Sequence, residues 1–165
     1  MLVSIITINY NNLEGLKKTY ESIKKLKGDD FELIIVDGLS SDGSREFVLS
    51  LPNSKSLIAI SEKDSGIYNA MNKGVSLASG NYCIFMNSGD LFYDGDVLEN
   101  IKSDLMEDKD IVSGIAYVNG QVWYSPKEED LSLTFFIKKS LSHQATFIKR
   151  SLLKTELYDE GYKIV

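Results

Sequence analysis

Apolar runs and helical spacings alternate along the first half of the chain. Residues 3–8 are nearly all apolar and β-branched, which suits a strand buried on both faces of a parallel sheet. The run stops at the turn cluster Asn9-Tyr10-Asn11-Asn12. Leu13, Leu16, Tyr20, Ile23 and Leu26 then recur at helical spacing, with Lys17, Lys18, Glu21, Lys24 and Lys25 between them. That pattern predicts an amphipathic helix, and Gly28 is placed to end it. The unit repeats. Residues 31–36 are a second buried strand, closed by Asp37-Gly38 and the Ser40-Ser41-Asp42-Gly43-Ser44 cluster. A short helix follows through Phe47, Val48 and Leu51 up to Pro52. A third strand over 57–60 leads into Ser61-Glu62-Lys63-Asp64, and a helix over 67–78 buries Ile67, Met71, Val75 and Ala78. The fourth strand, 82–86, ends in Asn87-Ser88-Gly89-Asp90.

Strand alternating with helix four times predicts βαβ units: an α/β, Rossmann-like, mostly parallel sheet flanked by helices. After Asp90 the pattern changes. A helix is expected over 97–106, and residues 111–118 are expected to pair with 121–124 across Asn119-Gly120, a strong hairpin signal. A further helix is expected near 131–138 and a strand near 145–148, so the second half adds a small antiparallel element. No repeat, low-complexity stretch or interdomain linker divides the 165 residues, which predicts a single domain.

Charge and cysteine usage narrow the function. A net charge of −6 opposes nucleic-acid binding, because duplex affinity comes largely from Lys and Arg neutralising phosphates. The one cysteine, Cys83, lies in the apolar run Tyr82-Cys83-Ile84-Phe85-Met86 and reads as core filler. The start of the chain is apolar but lacks a basic leader and a small-residue cleavage site. No stretch approaches the ~18 apolar residues of a membrane span. These features point to a cytoplasmic setting and leave peripheral contact with the inner face of a membrane open.

Ligands of open α/β sheets bind outside the carboxyl ends of the strands. Asn9-Tyr10-Asn11, Asp37, Asp64 and Asp90 are expected there. Single aspartates at strand ends are common turn residues, but three at one rim repel each other unless a cation joins them. A diphosphate carrying Mg2+ or Mn2+ meets that demand, since hard cations take carboxylate and phosphate oxygens together. Other nucleotide signatures are missing: there is no G-x-G-x-x-G after the first strand, no G-x-x-x-x-G-K-[ST] and no G-x-S-x-G.

Four segments then carry a resemblance: VSIITINYNN, ELIIVDGLSSDGS, EKDSGIYNAMNKGVSLASGNYCIFMNSGD and SHQATFIKR. In order and spacing they resemble family 2 glycosyltransferases of the GT-A fold, of the kind that builds bacterial surface polysaccharides. The resemblance implies inverting, metal-dependent transfer of a sugar from a nucleotide-diphosphate donor, UDP-linked, to a glycan or lipid-linked acceptor. Thr7, Asn9 and Tyr10 match the strand end that lines base and ribose. Asp37 matches the aspartate that hydrogen-bonds the base, and Asp64 the acidic residue beside the nucleotide. Ser88-Gly89-Asp90 occupies the D-x-D position. Asp90 would bind the metal on the diphosphate almost alone, and Ser88 and Gly89 put the usual ribose contact in doubt. His143 and Gln144 match a polar pair near the donor phosphates or the acceptor, though a lone His is more often structural. Lys73 could reach a phosphate or sit on a solvated helix face. Trp123 and Tyr124 could stack on a sugar or fill the core.

An inverting transfer needs a general base for the acceptor hydroxyl. The family carries it on an aspartate well after the D-x-D position, and here the resemblance puts it beyond Val165, with Asp159 and Glu160 as weak local substitutes. The expectation is a truncated chain, with 1–90 the nucleotide-binding half and 91–165 the start of the acceptor half. Two rival readings stay open: a donor-binding module without useful turnover, and a receiver-like signalling domain.

Overall fold

All four apolar runs of the first half become strands. In the computed structural model, which describes residues 1–132, 134–135 and 141–162, these are β1 (Val3–Asn9), β2 (Phe31–Asp37), β3 (Leu57–Ser61) and β4 (Tyr82–Phe85). β1 pairs in parallel with β2 on one side and β4 on the other, and β2 pairs in parallel with β3. Beyond β4 the sheet continues in antiparallel sense through β8 (Thr146–Lys149) to β5 (Ile111–Ser113), giving the order β3-β2-β1-β4-β8-β5.

The run 111–118 does not form one arm of a hairpin as expected. It breaks at Gly114-Ile115, so that β5 joins the main sheet while β6 (Ala116–Val118) pairs with β7 (Gln121–Trp123) as a separate ribbon. Asn119 and Gly120 turn that ribbon at φ 50° and 79°, the two positive angles a tight type I′ turn needs. The expected helix near 131–138 lies largely outside the described residues, as does the Lys163-Ile164-Val165 end.

Alternation along the strands decides which helix covers which face. Ile5, Leu33 and Ile35 pack with Leu16 of α1 (Leu13–Ile23), Val48 of α2 (Ser44–Ser50) and Leu98 and Leu105 of α4 (Val97–Met106). Ile6, Ile8, Ile34, Val36 and Phe85 pack with Ala70, Met71 and Val75 of α3 (Ile67–Leu77) and Leu153 of α5 (Arg150–Thr155). A Cβ on Gly74 would collide with Ile6, so glycine there lets α3 lie directly on β1. α1 ends at Ile23, short of Gly28, yet Leu26 still reaches the core. Cys83 is buried, and desolvation pushes its thiol up to about 12, in keeping with a packing role.

At the rim of the sheet where β1 and β2 begin, Glu32 is buried beneath four donors. Ser4 Oγ, Ser79 N, Ser79 Oγ and Gly80 N all approach its Oε1, at 2.6, 2.6, 2.9 and 3.1 Å. Burial alone would raise its pKa, but these hydrogen bonds outweigh it and hold the carboxyl below its ordinary value of 4.5. Because the folded value is depressed, the stabilisation is complete above the unfolded pKa and fades as pH falls through the folded one. Melting temperature is therefore expected to fall as pH drops below about 4.5, and less steeply in Glu32→Gln; a pH series of thermal melts checks it.

Candidate functional site

The opposite rim collects the chemistry. β1 ends in Asn9, in register with Asp37 at the end of β2, and Asp37 with Ser61 at the end of β3. Asn9 Nδ2 donates to Asp37 Oδ1 at 2.7 Å, Ser61 Oγ to Oδ2 at 2.6 Å, and Ser40 adds its hydroxyl and, at 3.0 Å, its amide. Burial would raise the pKa of Asp37, but these bonds hold it below the ordinary value, so the group stays ionised. Asp37 is wholly buried. It faces the network that joins three strand ends, and both of its oxygens are already taken.

Next to this network lies a cleft of about 540 Å³, walled by the ends of β1 and β2, the loop before α3, the first turn of α3 and the segment after β4. Of the residues matched to the nucleotide, Asn9, Tyr10, Asp64 and Ser88 line it. Thr7 is buried within β1, its hydroxyl without a hydrogen-bond partner, and Thr7, Asp37 and Gly89 are not among the lining residues. The sequence reading missed Gly38. A Cβ there would lie 2.5 Å from Asp64 Oδ2 and 3.1 Å from the Tyr10 ring, so glycine is what lets the carboxylate and the ring share this end of the cleft. Asn12, Lys63, Gly66, Ile67, Ala70 and Asn87 also line it. Asn12 and Asn87 had been visible only as turn residues, and Lys63 only as the neighbour of Asp64.

After β4 the chain makes a tight turn over Asn87-Ser88-Gly89-Asp90, with Asp90 N bonded to Asn87 O at 2.9 Å and Gly89 at φ 109°. Asp90 Oδ2 reaches back to accept from Asn87 N at 2.9 Å. Ser88, where the full motif has a carboxylate, turns inward: its hydroxyl lies 2.7 Å from Asn9 Oδ1 and 3.1 Å from Ile8 O. The short helical turn at His143–Ala145, just before β8, brings His143 and Gln144 to the same place. Asn87 Nδ2 lies 3.2 Å from His143 Nε2, and the Gln144 side chain is close enough to the Asp90 carboxylate to favour its charge. Burial raises the pKa of Asp90, with the Asn87 amide, His143 and Gln144 pulling the other way. Burial also lowers His143 despite Asp90, so the imidazole is neutral at pH 7; Nε2 then accepts from Asn87, and the ring proton is assigned to Nδ1.

Among the described residues no cluster of three His, Cys, Asp or Glu side chains could hold a metal by itself. The donor set does fit a divalent cation shared with a ligand's phosphates. It offers a half-buried carboxylate that burial disfavours as a bare anion, and beside it Asn87 Oδ1, a buried oxygen with no partner.

Other candidates are engaged elsewhere. Lys73 Nζ pairs with Glu62 at 2.7 Å and donates to Lys63 O at 2.7 Å, tying α3 to the preceding loop. Glu160 accepts from Asn69, Asn72 and Ser65, and the hydrogen bonds from Asn72 and then Asn69 lower its pKa, which makes it a weak base. Asp159 Oδ1 accepts from Gly161 N at 2.8 Å. The segment carrying both is clamped to α3: the Asn72 amide bonds Tyr158 O at 2.9 Å and Tyr158 N at 3.0 Å. Trp123 and Tyr124 are exposed rather than packed in the core.

The family model described as Glycosyl transferase family 2 matches residues 4–160. A PGL/p-HBAD biosynthesis glycosyltransferase of Mycobacterium tuberculosis is 32% identical over 158 residues, covering 93% of this chain and 61% of that protein. The crystal structure of Staphylococcus aureus TarS 1–349 superposes with a TM-score of 0.78 at 23% identity, covering 100% of this chain and 52% of the other. That protein has also been solved with UDP and with UDP-GlcNAc. The mannosyltransferase PcManGT of Pyrobaculum calidifontis, in complex with GDP-Man and Mn2+, superposes with a TM-score of 0.69 at 19% identity over 96% of this chain and 48% of the other. At these identities the structural likeness speaks for the fold. The chain spans about three-fifths of its mycobacterial relative and about half of the solved chains.

Proposed function

The chain belongs to glycosyl transferase family 2, and from that premise we propose that it transfers a sugar, with inversion, from a UDP-linked donor to a glycan or lipid-linked acceptor in surface polysaccharide synthesis. The observation that carries this reading is the rim cleft, with Tyr10, Gly38 and Asp64 at one end and the Asn87–Ser88 segment of the Asp90 turn in its wall. The nucleobase lies against Tyr10 and Gly38, with Asp64 accepting its hydrogen bonds. Asp37 serves at one remove, holding Asn9 and Ser40 in place. The diphosphate points to the Asp90 turn. Asp90, with the unpartnered amide oxygen of Asn87 in the same turn, would hold Mg2+ or Mn2+, which when bound neutralises charge on the departing diphosphate. The TarS complexes with UDP and UDP-GlcNAc support the donor class, and the PcManGT complex supports the metal.

A hydroxyl attacking the anomeric carbon must lose its proton. The hydrogen bonds that lower Glu160 argue against it as the acceptor of that proton, in favour of a base on a longer chain. No helix among the described residues is long and apolar enough to cross a membrane.

The test is a thermal-stability titration with UDP, with and without Mn2+. At a hundredfold excess over Kd the expected gain is about 2.7 kcal/mol, or about 5–11 °C, and most of it depends on Mn2+. No gain with UDP under either condition sinks the donor assignment. UDP release in the presence of acceptor, compared between this chain and a longer one, then separates an enzyme from a donor-binding module.

A further inference from the structure

Thr19 lies on α1, completely buried, and points at the Asp90 turn rather than at its own helix. A threonine inside a helix ordinarily bonds back to the carbonyl of the preceding turn. Here the hydroxyl donates to Asp90 O at 2.8 Å, with Asn87 O also in reach at 3.2 Å, and accepts from Gly89 N at 2.9 Å. One side chain thus meets three of the four residues of the turn through their backbones. The turn needs such an anchor. Gly89 stands at φ 109°, a glycine conformation with wide freedom, and no second carboxylate shares the work of Asp90. On the other side the turn is held by Ser88 on β1 and by Asn12 Nδ2, which donates to Ser88 O at 3.0 Å.

We propose that Thr19 is a positioning residue for the cation site: its hydroxyl fixes the backbone of the 87–90 turn and thereby the place of the Asp90 carboxylate. This rests on the reading of Asp90 as the metal ligand. Asp90 Oδ2 is already committed to Asn87 N, so the carboxylate moves with the turn. A turn released from α1 carries its one charged ligand away from the place where a cation and a diphosphate can be shared. Groups that orient metal ligands from behind typically change metal affinity by about 10- to 100-fold when lost.

The test uses Thr19→Val, which keeps the shape and removes the hydroxyl, and Thr19→Ser, which keeps it. Mn2+ binding is read from the EPR signal of the free ion in the presence of saturating UDP, and UDP binding without metal from calorimetry. Thr19→Val is expected to weaken Mn2+ binding about 10-fold or more while leaving metal-free UDP binding within about 2-fold, and Thr19→Ser to restore Mn2+ binding to within about 3-fold of wild type. If Thr19→Val does not fold, Thr19→Ala against Thr19→Ser isolates the hydroxyl in the same readout. Mn2+ binding that Asp90→Ala abolishes but loss of the Thr19 hydroxyl leaves within about 2-fold overturns the Thr19 inference alone. Mn2+ binding that is absent in wild type, or unmoved by Asp90→Ala, overturns the metal reading and with it the role given to Thr19.

Discussion

Asp90→Asn is expected to lose the Mn2+-dependent part of UDP binding while melting, without ligand, no lower than wild type. The two halves of that result have one cause. Burial raises the pKa of Asp90, so the ionised carboxylate is disfavoured in the folded protein until a cation joins it. Among the described residues no group of three or more His, Cys, Asp or Glu side chains could hold a metal in its place. Removing the charge therefore relieves the unliganded protein and disables the liganded one. Loss of the charged ligand proposed for the site should weaken Mn2+ binding by about 100-fold, close to 2.7 kcal/mol, which is most of the stabilisation expected from UDP with Mn2+. Thermal melts with UDP alone, Mn2+ alone and both together check it. An Asp90→Asn protein that keeps the full Mn2+-dependent shift removes Asp90 from the site.

Asp37→Ala should act in the opposite way, as a loss of stability. Asn9 and Ser40 would be left with buried donors, and Ser61 with a half-buried one, facing a void where a carboxylate had accepted from all of them. Buried donors without acceptors are destabilising by about 1–3 kcal/mol each, less what water entering the gap returns, so a total of about 3 kcal/mol is expected. For a chain of this length that is a fall in melting temperature of about 6–12 °C. UDP affinity should fall as well, because Asn9 and Gly38 flank the network and line the cleft. Asp37→Asn, with one acceptor oxygen kept, should lie between. A melting temperature for Asp37→Ala within about 2 °C of wild type would make the residue a dispensable ligand contact and not the tie between strand ends.

Asp37 also shows where sequence reasoning stops. Its position was legible, because a continuous apolar run ending in Asp-Gly marks the end of a buried parallel strand. Its direction was not. Whether the carboxylate meets a ligand or the protein depends on two serine hydroxyls, one of them twenty-four residues away at the end of a neighbouring strand. The same holds for Lys73, whose helix was evident but whose ammonium is taken by Glu62. The parallel half was readable because each βαβ unit declares itself within a short stretch of chain. The break of 111–118 into β5 and β6 was not, since β5 owes its place to β8, thirty or more residues later. His143 and Asn87 meet across fifty-six residues. The Asn119-Gly120 turn, a purely local matter, was read correctly. Gly38 offered only an ordinary turn signal, and its value lies in the room it leaves for Asp64 and Tyr10.

Every residue lining the cleft falls between Ile8 and Ser88, whereas His143 and Gln144 come to Asp90 from the other end of the chain. On the proposed reading, the nucleobase end of the donor would be met within residues 8–88, while the Asp90 turn is supported from both portions of the sequence. An exchange of residues 91–165 between relatives is therefore expected to leave nucleobase preference behind and to alter only the support that His143 and Gln144 give the Asp90 turn.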